Sequence, residues 1–407
     1  MKRCLGIACT TMLLAAALEV GATDPEPRFF PIGMYSVDDE GDFKEIADAG
    51  FNLVQSYRFE GETASDAEVL AYLDAADKFG LRVLLGIPQE AVERRDVCLI
   101  RKRVATFMDH PALYGWQLFD EPESGASYGR EGPLPPKDLI EAYRAIKSVD
   151  SSHPVSIACS GTLDEYEYLE GADTIMLQYN AIPPDVFEAP WDSLSHMGDF
   201  MNPAIDIAAR NNKGLMLALT GYNVANDYYI WPKERRGEKG QYPTQEEMRF
   251  VAYYSIVRGV SDLIFSCYRF DYGEGPDGEA LGGDDISHKA NPKQWHAISA
   301  VASELKSMIP IFSAPSQKPG DAGVTITGTG NVTVEMMIKE YQGKTYLITV
   351  NPAEFCVQAQ IRLAPDRFPD PSITLLPESL PISSKQGAFD VHWKPYEVRI
   401  YEVTASR

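Results

Sequence analysis

The chain has few histidines and cysteines for its length, and both shortages restrict its chemistry. Six histidines occur among 407 residues, and none is among the residues that directly follow a predicted barrel strand. This argues against a hydrolytic metal site and against a Ser-His-Asp triad. The cysteines beyond residue 22 form no Cys-x-x-Cys pair, which is not a zinc spacing. We expect buried thiols, with one disulfide as the alternative, at Cys98, Cys159, Cys267 and Cys356.

Basic side chains are also in short supply. The chain has 37 Lys and Arg against 59 Asp and Glu, so its formal net charge is -22. A surface this acidic repels nucleic-acid phosphates and anionic membranes. We therefore expect no nucleic-acid partner, whereas a neutral ligand is not excluded.

An apolar run lies at the N-terminus. Lys2 and Arg3 precede residues 5–18, which are mostly apolar, and residues 20–22 offer small side chains at a cleavage point. This pattern predicts a signal peptide over residues 1–22 and export to the periplasm or the medium. The run is too short to span a bilayer comfortably, so we expect no membrane insertion. An ordinary first helix is the alternative, but the run lacks an amphipathic stripe.

Short apolar runs alternate with amphipathic stretches from residue 29 to about residue 313. This rhythm predicts repeated strand–helix units and a parallel sheet. Eight such pairs are present, which is the number in a closed (β/α)8 TIM barrel. A doubly wound open sheet also alternates, but no Gly-x-Gly-x-x-Gly follows the first strand. We therefore predict an α/β barrel domain over residues 23–315.

The pattern changes after Pro315. Residues 324–327, 345–350 and 357–363 are among several alternating segments that are separated by turn residues. They predict a small all-β antiparallel sandwich over residues 316–407, joined to the barrel by a short polar linker at residues 316–320. No aromatic platform marks a sugar-binding face on this domain, so we expect it to pack on the barrel in a structural role.

Barrels of this kind place their active sites at the carboxyl ends of the strands and in the loops that follow. The second and third strands are followed by polar residues that include Gln55, Glu60 and Gln89. We predict that the following residues bind the substrate: Tyr35, Arg58, Asp120, Gln178, Tyr179, Tyr222, Trp231, Tyr268 and Glu274. Trp231 belongs to a long loop, residues 226–242, and its ring could stack on a ligand or equally pack on the barrel rim.

The strongest local signal is the end of the fourth strand. The apolar segment 113–119 stops at Asp120-Glu121-Pro122, and Pro122 favours an extended exit from Glu121. This ending resembles the fourth strand of clan A glycoside hydrolases, where Asn-Glu-Pro or a close variant carries the acid/base Glu. The resemblance includes the barrel rhythm and the trailing sandwich. It implies a carbohydrate substrate, glycosidic-bond hydrolysis with Glu121 as general acid, and no metal or organic cofactor. A helix cap or an exposed turn is the alternative role for Glu121.

The seventh strand departs from the clan A pattern. Those enzymes carry a nucleophilic Glu at its end, whereas this chain has Thr220 and no acid until Asp227. The departure leaves a second hypothesis open, in which the chain is a non-catalytic glycan-binding barrel that has lost the nucleophile.

Glycosidic cleavage normally needs two carboxyl groups, so a hydrolase would take the second from elsewhere. Asp271, beyond the eighth strand, is our first choice as nucleophile or base, and Glu274 and Asp120 follow. A salt bridge to Arg269 is the alternative role for Asp271. Asp120 has an alternative as well, because its charge would raise the proton affinity of Glu121.

Overall fold

The computed structural model describes residues 29–123, 132–159, 163–179, 194, 197–222, 242–271, 283–328 and 334–405. Eight parallel strands close into a barrel, which confirms the predicted fold. The strands are β1 (Ile32–Met34), β2 (Leu53–Gln55), β3 (Arg82–Gly86), β4 (Leu113–Asp120), β5 (Val155–Cys159), β6 (Thr174–Tyr179), β7 (Gly214–Thr220) and β8 (Asp262–Ser266). Strand β1 pairs with both β2 and β8, and this double pairing closes the sheet. A two-stranded sheet of β9 (Arg269–Asp271) and β10 (Gly283–Asp285) follows β8.

Helices cover the outside of the barrel. They are α1 (Phe43–Asp48), α2 (Asp66–Lys78), α3 (Gln89–Glu93), α4 (Val97–Phe107), α5 (Pro136–Lys147), α6 (Met197–Arg210), α7 (Gln245–Arg258) and α8 (Pro292–Ser313). A 3-10 segment, Leu163–Gly171, takes the place of a full helix after β5. Helix α7 begins with a capping box in which Thr244 and Glu247 satisfy each other's backbone N–H groups. It ends at Gly259, whose φ of 105° favours glycine.

The barrel interior is apolar through most of its depth and polar at the carboxyl end of the strands. Leu53, Leu84 and Met176 belong to an apolar cluster of inward-facing strand residues. Gln55 and Gln117 are fully buried near the carboxyl ends of their strands. Buried amides need hydrogen-bond partners, so this polar layer is a specific arrangement rather than filler.

The C-terminal domain is all-β, as predicted. Its strands are β11 (Ser316–Gln317), β12 (Val324–Gly328), β13 (Glu335–Tyr341), β14 (Lys344–Val350), β15 (Val357–Leu363), β16 (Ser372–Leu376), β17 (Leu380–Ile382), β18 (Ala388–Trp393) and β19 (Val398–Thr404). One sheet has the order β11-β13-β14-β19-β16-β17 and the other the order β12-β15-β18. The predicted linker begins with β11, where Ser316 pairs with Lys339 of β13.

Helices α7 and α8 pack against the six-stranded sheet. Arg249 of α7 donates from Nε to both carboxylate oxygens of Glu304 on α8, at 3.0 and 2.9 Å. Its Nη1 donates to the carbonyl of Val398 in β19 at 2.9 Å, and Tyr253 Oη donates to Glu304 at 2.9 Å. One guanidinium therefore links two barrel helices to the C-terminal domain.

The four cysteines that the structure describes form no disulfide. Cys159 and Cys267 are buried, as expected, whereas Cys98 and Cys356 are exposed, so the expectation of buried thiols is wrong for those two. Within the described ranges, no helix has the length and apolar character needed to cross a bilayer.

Candidate active site

Strand β4 ends in two consecutive carboxyl groups that lie in different surroundings. Asp120 is 1% exposed, whereas Glu121 is half-buried. Glu121 has a φ of 44°, and its N–H donates to the carbonyl of Ala158 in β5 at 2.9 Å. The extended exit that Pro122 favours is therefore not observed. A left-handed backbone costs a non-glycine residue roughly 1–2 kcal/mol. Strain of this kind clusters at functional sites, so the conformation favours a functional role for Glu121.

Two amide side chains, those of Gln178 and Gln117, make hydrogen bonds at or near the carboxyl end of β4. Gln178 of β6 donates from Nε2 to Asp120 Oδ1 at 3.2 Å, which brings two predicted site residues into direct contact. One layer deeper, Gln117 Nε2 donates to Tyr35 Oη at 3.2 Å, and Ser156 Oγ donates to Gln117 Oε1 at 3.0 Å. Asp120 and Gln178 thus contact each other, and Tyr35 belongs to a hydrogen-bonded group with Gln117 and Ser156.

A second buried carboxyl group, which sequence analysis did not select, lies in the same region. Glu60 is 6% exposed and follows a 3-10 turn, Tyr57–Phe59, at the end of β2. It accepts hydrogen bonds from Gln55 Nε2 at 2.5 Å and from Gln89 Nε2 at 2.7 Å. Burial and then the nearby charge of Asp120 raise the pKa of Glu60 well above its usual value, although the two amide hydrogen bonds oppose the shift. Its position after β2 is the one sequence signal that could have identified it.

Glycine and arginine hold the Glu60 turn against β3. A Cβ on Gly86, at the end of β3, would lie 2.7 Å from Glu60 Cγ and 2.9 Å from the carbonyl carbon of Phe59. From the opposite side, the buried Arg103 of α4 donates from Nη2 to the carbonyls of Phe59 and Gly86 at 3.1 and 3.3 Å. The position of Glu60 therefore depends on the absence of a side chain at residue 86.

Three other predicted ligands have different neighbours. Arg58 is exposed; its Nη1 donates to the Asp38 carbonyl at 2.6 Å and pairs with Glu40 at 3.4 Å. Tyr268 packs edge-on against Trp295 of α8, with ring centroids 5.5 Å apart. The remaining one, Tyr222, is buried in the main core cluster. Substrate contact by these three stays a prediction.

The predicted second acid, Asp271, ends β9, where its backbone pairs with Gly283 of β10. The structure describes the backbone of Asp271 and of Tyr179 but not their side chains. Trp231 and Glu274 lie outside the described residues. Arg269, the alternative partner of Asp271, lies 2.9 Å from Asp42 Oδ2 through Nη1 and 3.1 Å from Asp285 Oδ2 through Nε. Its guanidinium is thus already engaged by two carboxylates. Among the described residues, no three His, Cys, Asp or Glu side chains are grouped to hold a metal ion.

Comparisons with known proteins identify the fold. No family model and no curated protein sequence matches the chain. A glycoside hydrolase family 5 protein from Bacteroides vulgatus aligns with a TM-score of 0.58 at 13% identity, over 93% of this chain and 90% of that one. An α-amylase from Geobacillus thermoleovorans, solved with acarbose, gives 0.54 at 10% identity, over 93% and 99%. A putative α-galactosidase/melibiase from Bacteroides fragilis gives 0.51 at 11% identity, over 92% and 78%. The resemblance to glycoside hydrolase barrels is confirmed at the level of the fold.

Proposed function

We propose that the chain is a glycoside hydrolase that cleaves O-glycosidic bonds of an oligo- or polysaccharide outside the cytoplasm. Solved structures with this fold include glycoside hydrolases. The observation that carries the proposal is Glu121, a half-buried carboxyl group in a left-handed conformation at the end of β4, directly after the buried Asp120. Barrel enzymes place their catalytic residues at this end of the strands.

In the proposed reaction Glu121 protonates the leaving oxygen, and Asp271 serves as nucleophile or as the base that activates water. A general acid needs to keep its proton until the bond breaks, and in this proposal Asp120 supplies a negative charge that favours the protonated form. Gln178 and Tyr35 offer neutral hydrogen-bonding groups of the kind that sugar hydroxyls accept from and donate to.

The test is hydrolysis of a panel of plant, algal and microbial glycans by the purified protein, followed by measurement of released reducing ends. Glu121→Gln should lower kcat on the responsive glycan by about 10²–10⁴-fold and leave binding intact, because the amide keeps the shape but cannot donate the acid proton. Glu90→Gln is the matched control, since Glu90 is an exposed glutamate after β3. Near-normal turnover by Glu121→Gln would contradict the proposal.

A non-catalytic glycan-binding barrel is the second candidate. Strand β7 ends at Thr220, which is 5% exposed, where clan A enzymes carry their nucleophile. The same panel separates the two functions, because a binder retains a glycan and releases no reducing ends. Binding without hydrolysis across the panel would favour this candidate.

Export is proposed from residues 1–22. Expression of the full chain with its native N-terminus, followed by N-terminal sequencing, should give a mature protein that begins at Thr23. Recovery of the intact chain in the cytoplasm would contradict it.

A further inference from the structure

Arg269 links the two-stranded β9–β10 sheet to the segment that follows β1. Its Nη1 lies 2.9 Å from Oδ2 of Asp42, the last residue of the 3-10 turn Glu40–Asp42, and its Nε donates to Oδ2 of Asp285 in β10 at 3.1 Å. Asp285 is also the backbone partner of Arg269 across the two strands. One guanidinium therefore holds β9 and β10 together and ties both to a different part of the chain.

The pair of Arg269 and Asp42 differs from an ordinary surface ion pair. The Asp42 side chain is 2% exposed and that of Arg269 is 34% exposed, so water screens this pair less than it screens two exposed groups. Within the described residues, the other cation that pairs with Asp42 is Lys289, which is 75% exposed and lies 3.7 Å from Oδ1. The guanidinium also lies over the ring of Tyr268, with Cζ 5.3 Å from the centroid. Loss of Arg269 would therefore leave a buried carboxylate with one distant, exposed lysine.

The backbone around Arg269 is anchored as well. Ser36, two residues after β1, donates from Oγ to the Arg269 carbonyl at 2.6 Å. Ser36 is 4% exposed and has a φ of 62°, a strained left-handed conformation for a residue other than glycine. Its N–H donates to Oε1 of the fully buried Gln55 at 3.2 Å, and the Tyr268 N–H donates to the Tyr35 carbonyl at 2.8 Å. The segment after β1 therefore holds both the side chain and the main chain of residue 269.

We infer that Arg269 is a positioning residue that fixes the β9–β10 sheet, and with it the backbone of Asp271, at the carboxyl end of the barrel. The inference rests on the proposed function in one respect, which is the role of Asp271 as nucleophile or base. Asp271 ends β9 two residues after Arg269 and pairs with Gly283 of β10, so a shift of the sheet shifts the proposed second acid. A displacement of about 1 Å costs up to about a hundredfold in rate. Arg269 thus acts through Asp271.

Hydrogen exchange of the purified protein tests the first step without any substrate. The amides of Tyr268 and Ile286 donate to the carbonyls of Tyr35 and Tyr268 at 2.8 and 3.1 Å, so their exchange reports local opening of the sheet and its attachment. Arg269→Gln should speed this exchange at least about tenfold. Arg249→Met is the matched control, because it also deprives a carboxylate of its arginine but lies at the domain interface, and it should leave the exchange close to wild type. Wild-type exchange in Arg269→Gln would overturn the inference.

Two further variants separate positioning from stability. Ser36→Ala removes the donor to the Arg269 carbonyl without leaving a buried charge, so the protein should fold and exchange at Tyr268 and Ile286 should again rise. The double variant Arg269→Gln/Asp42→Asn also removes the buried carboxylate that Arg269→Gln leaves without its partner. Its unfolding free energy should exceed that of Arg269→Gln, while its exchange stays fast. Slow exchange in the double variant would reduce Arg269 to a structural role and overturn the inference.

Turnover of a glycan that wild type hydrolyses tests the second step. Arg269→Gln should lower kcat about 10–100-fold with little change in KM, because misplacement of the second acid affects the transition state more than binding. In an Asp271→Asn background the same substitution should cost less than about twofold, since the residue through which Arg269 acts is already lost. A full additional loss in that background would overturn the action through Asp271.

Failure of the proposed function gives a different result. If no glycan is hydrolysed, or if Asp271→Asn turns over at the wild-type rate, the proposed function or its second acid is wrong. The exchange rates of Arg269→Gln and Ser36→Ala still decide whether Arg269 fixes the β9–β10 sheet.

Discussion

Gly86→Ala should damage the candidate site and the stability of the barrel together. The added Cβ would lie 2.7 Å from Glu60 Cγ and 2.9 Å from the carbonyl carbon and oxygen of Phe59, whereas ordinary Cβ contacts begin near 3.4 Å. The turn after β2 has to retreat by roughly half an ångström, because a packed interior leaves no free space. Arg103 opposes the retreat, since it donates to the carbonyls of both Phe59 and Gly86.

Overpacking of this kind costs about 1–3 kcal/mol of unfolding free energy. Urea unfolding of Gly86→Ala measures this cost, and hydrolysis of a responsive glycan reports the displacement of Glu60. Gly320→Ala is the matched control, because its Cβ would meet nothing within 4 Å and its backbone is not left-handed. It should change the unfolding free energy by less than about 1 kcal/mol. Unfolding of Gly86→Ala at the wild-type urea concentration, with wild-type turnover, would refute the argument.

Two further predictions concern the framework that supports the site. Arg249→Met should lower the unfolding free energy by about 3 kcal/mol, because Glu304 keeps its charge and loses its bidentate partner. Arg210→Met, at an exposed ion pair, should cost no more than about 1 kcal/mol in the same urea titration, and equal losses would contradict the interface role of Arg249. Burial alone would raise the pKa of Asp150, but hydrogen bonds from Trp116 and neighbouring groups lower it below its usual value. The resulting stabilisation is present above about pH 4 and lost as the pH falls, so Asp150→Asn should flatten the acid dependence of urea unfolding. An unchanged acid slope would show that this carboxylate is not responsible.

Two barrel helices extend past a proline, beyond the bounds that the sequence pattern predicts. The sequence pattern places the core of the sixth helix at residues 203–211 and the eighth helix at residues 292–308, whereas α6 begins at Met197 and α8 continues through Pro310 to Ser313. A proline inside a helix removes one hydrogen bond, and it is tolerated where packing compensates. In α6 the buried Met197 lies before the proline, so burial of this turn decided the boundary. Propensity alone does not report such packing.

The C-terminal domain likewise contains strands that the sequence pattern predicts and strands that only their pairing in the sheet explains. The sequence pattern predicts the alternating segments at β12, β14 and β15, whereas it does not predict β16, β17 and β18. Strand β17 has three residues, includes Pro381 and is largely exposed, so its apolar pattern is weak. It forms a strand because its backbone pairs with the edge of β16, and β16 in turn pairs with β19.

Local pattern alone determined the barrel, the trailing β domain and the acidic end of β4, because periodicity along the chain records which face of each element is buried. Tertiary structure alone decided that Glu60 is buried near Asp120, while Arg58, two residues earlier, turns to Asp38 and Glu40. Closure of the barrel brings together strand ends that are far apart in sequence. The burial and the charge around each carboxyl group are set only when that closure occurs.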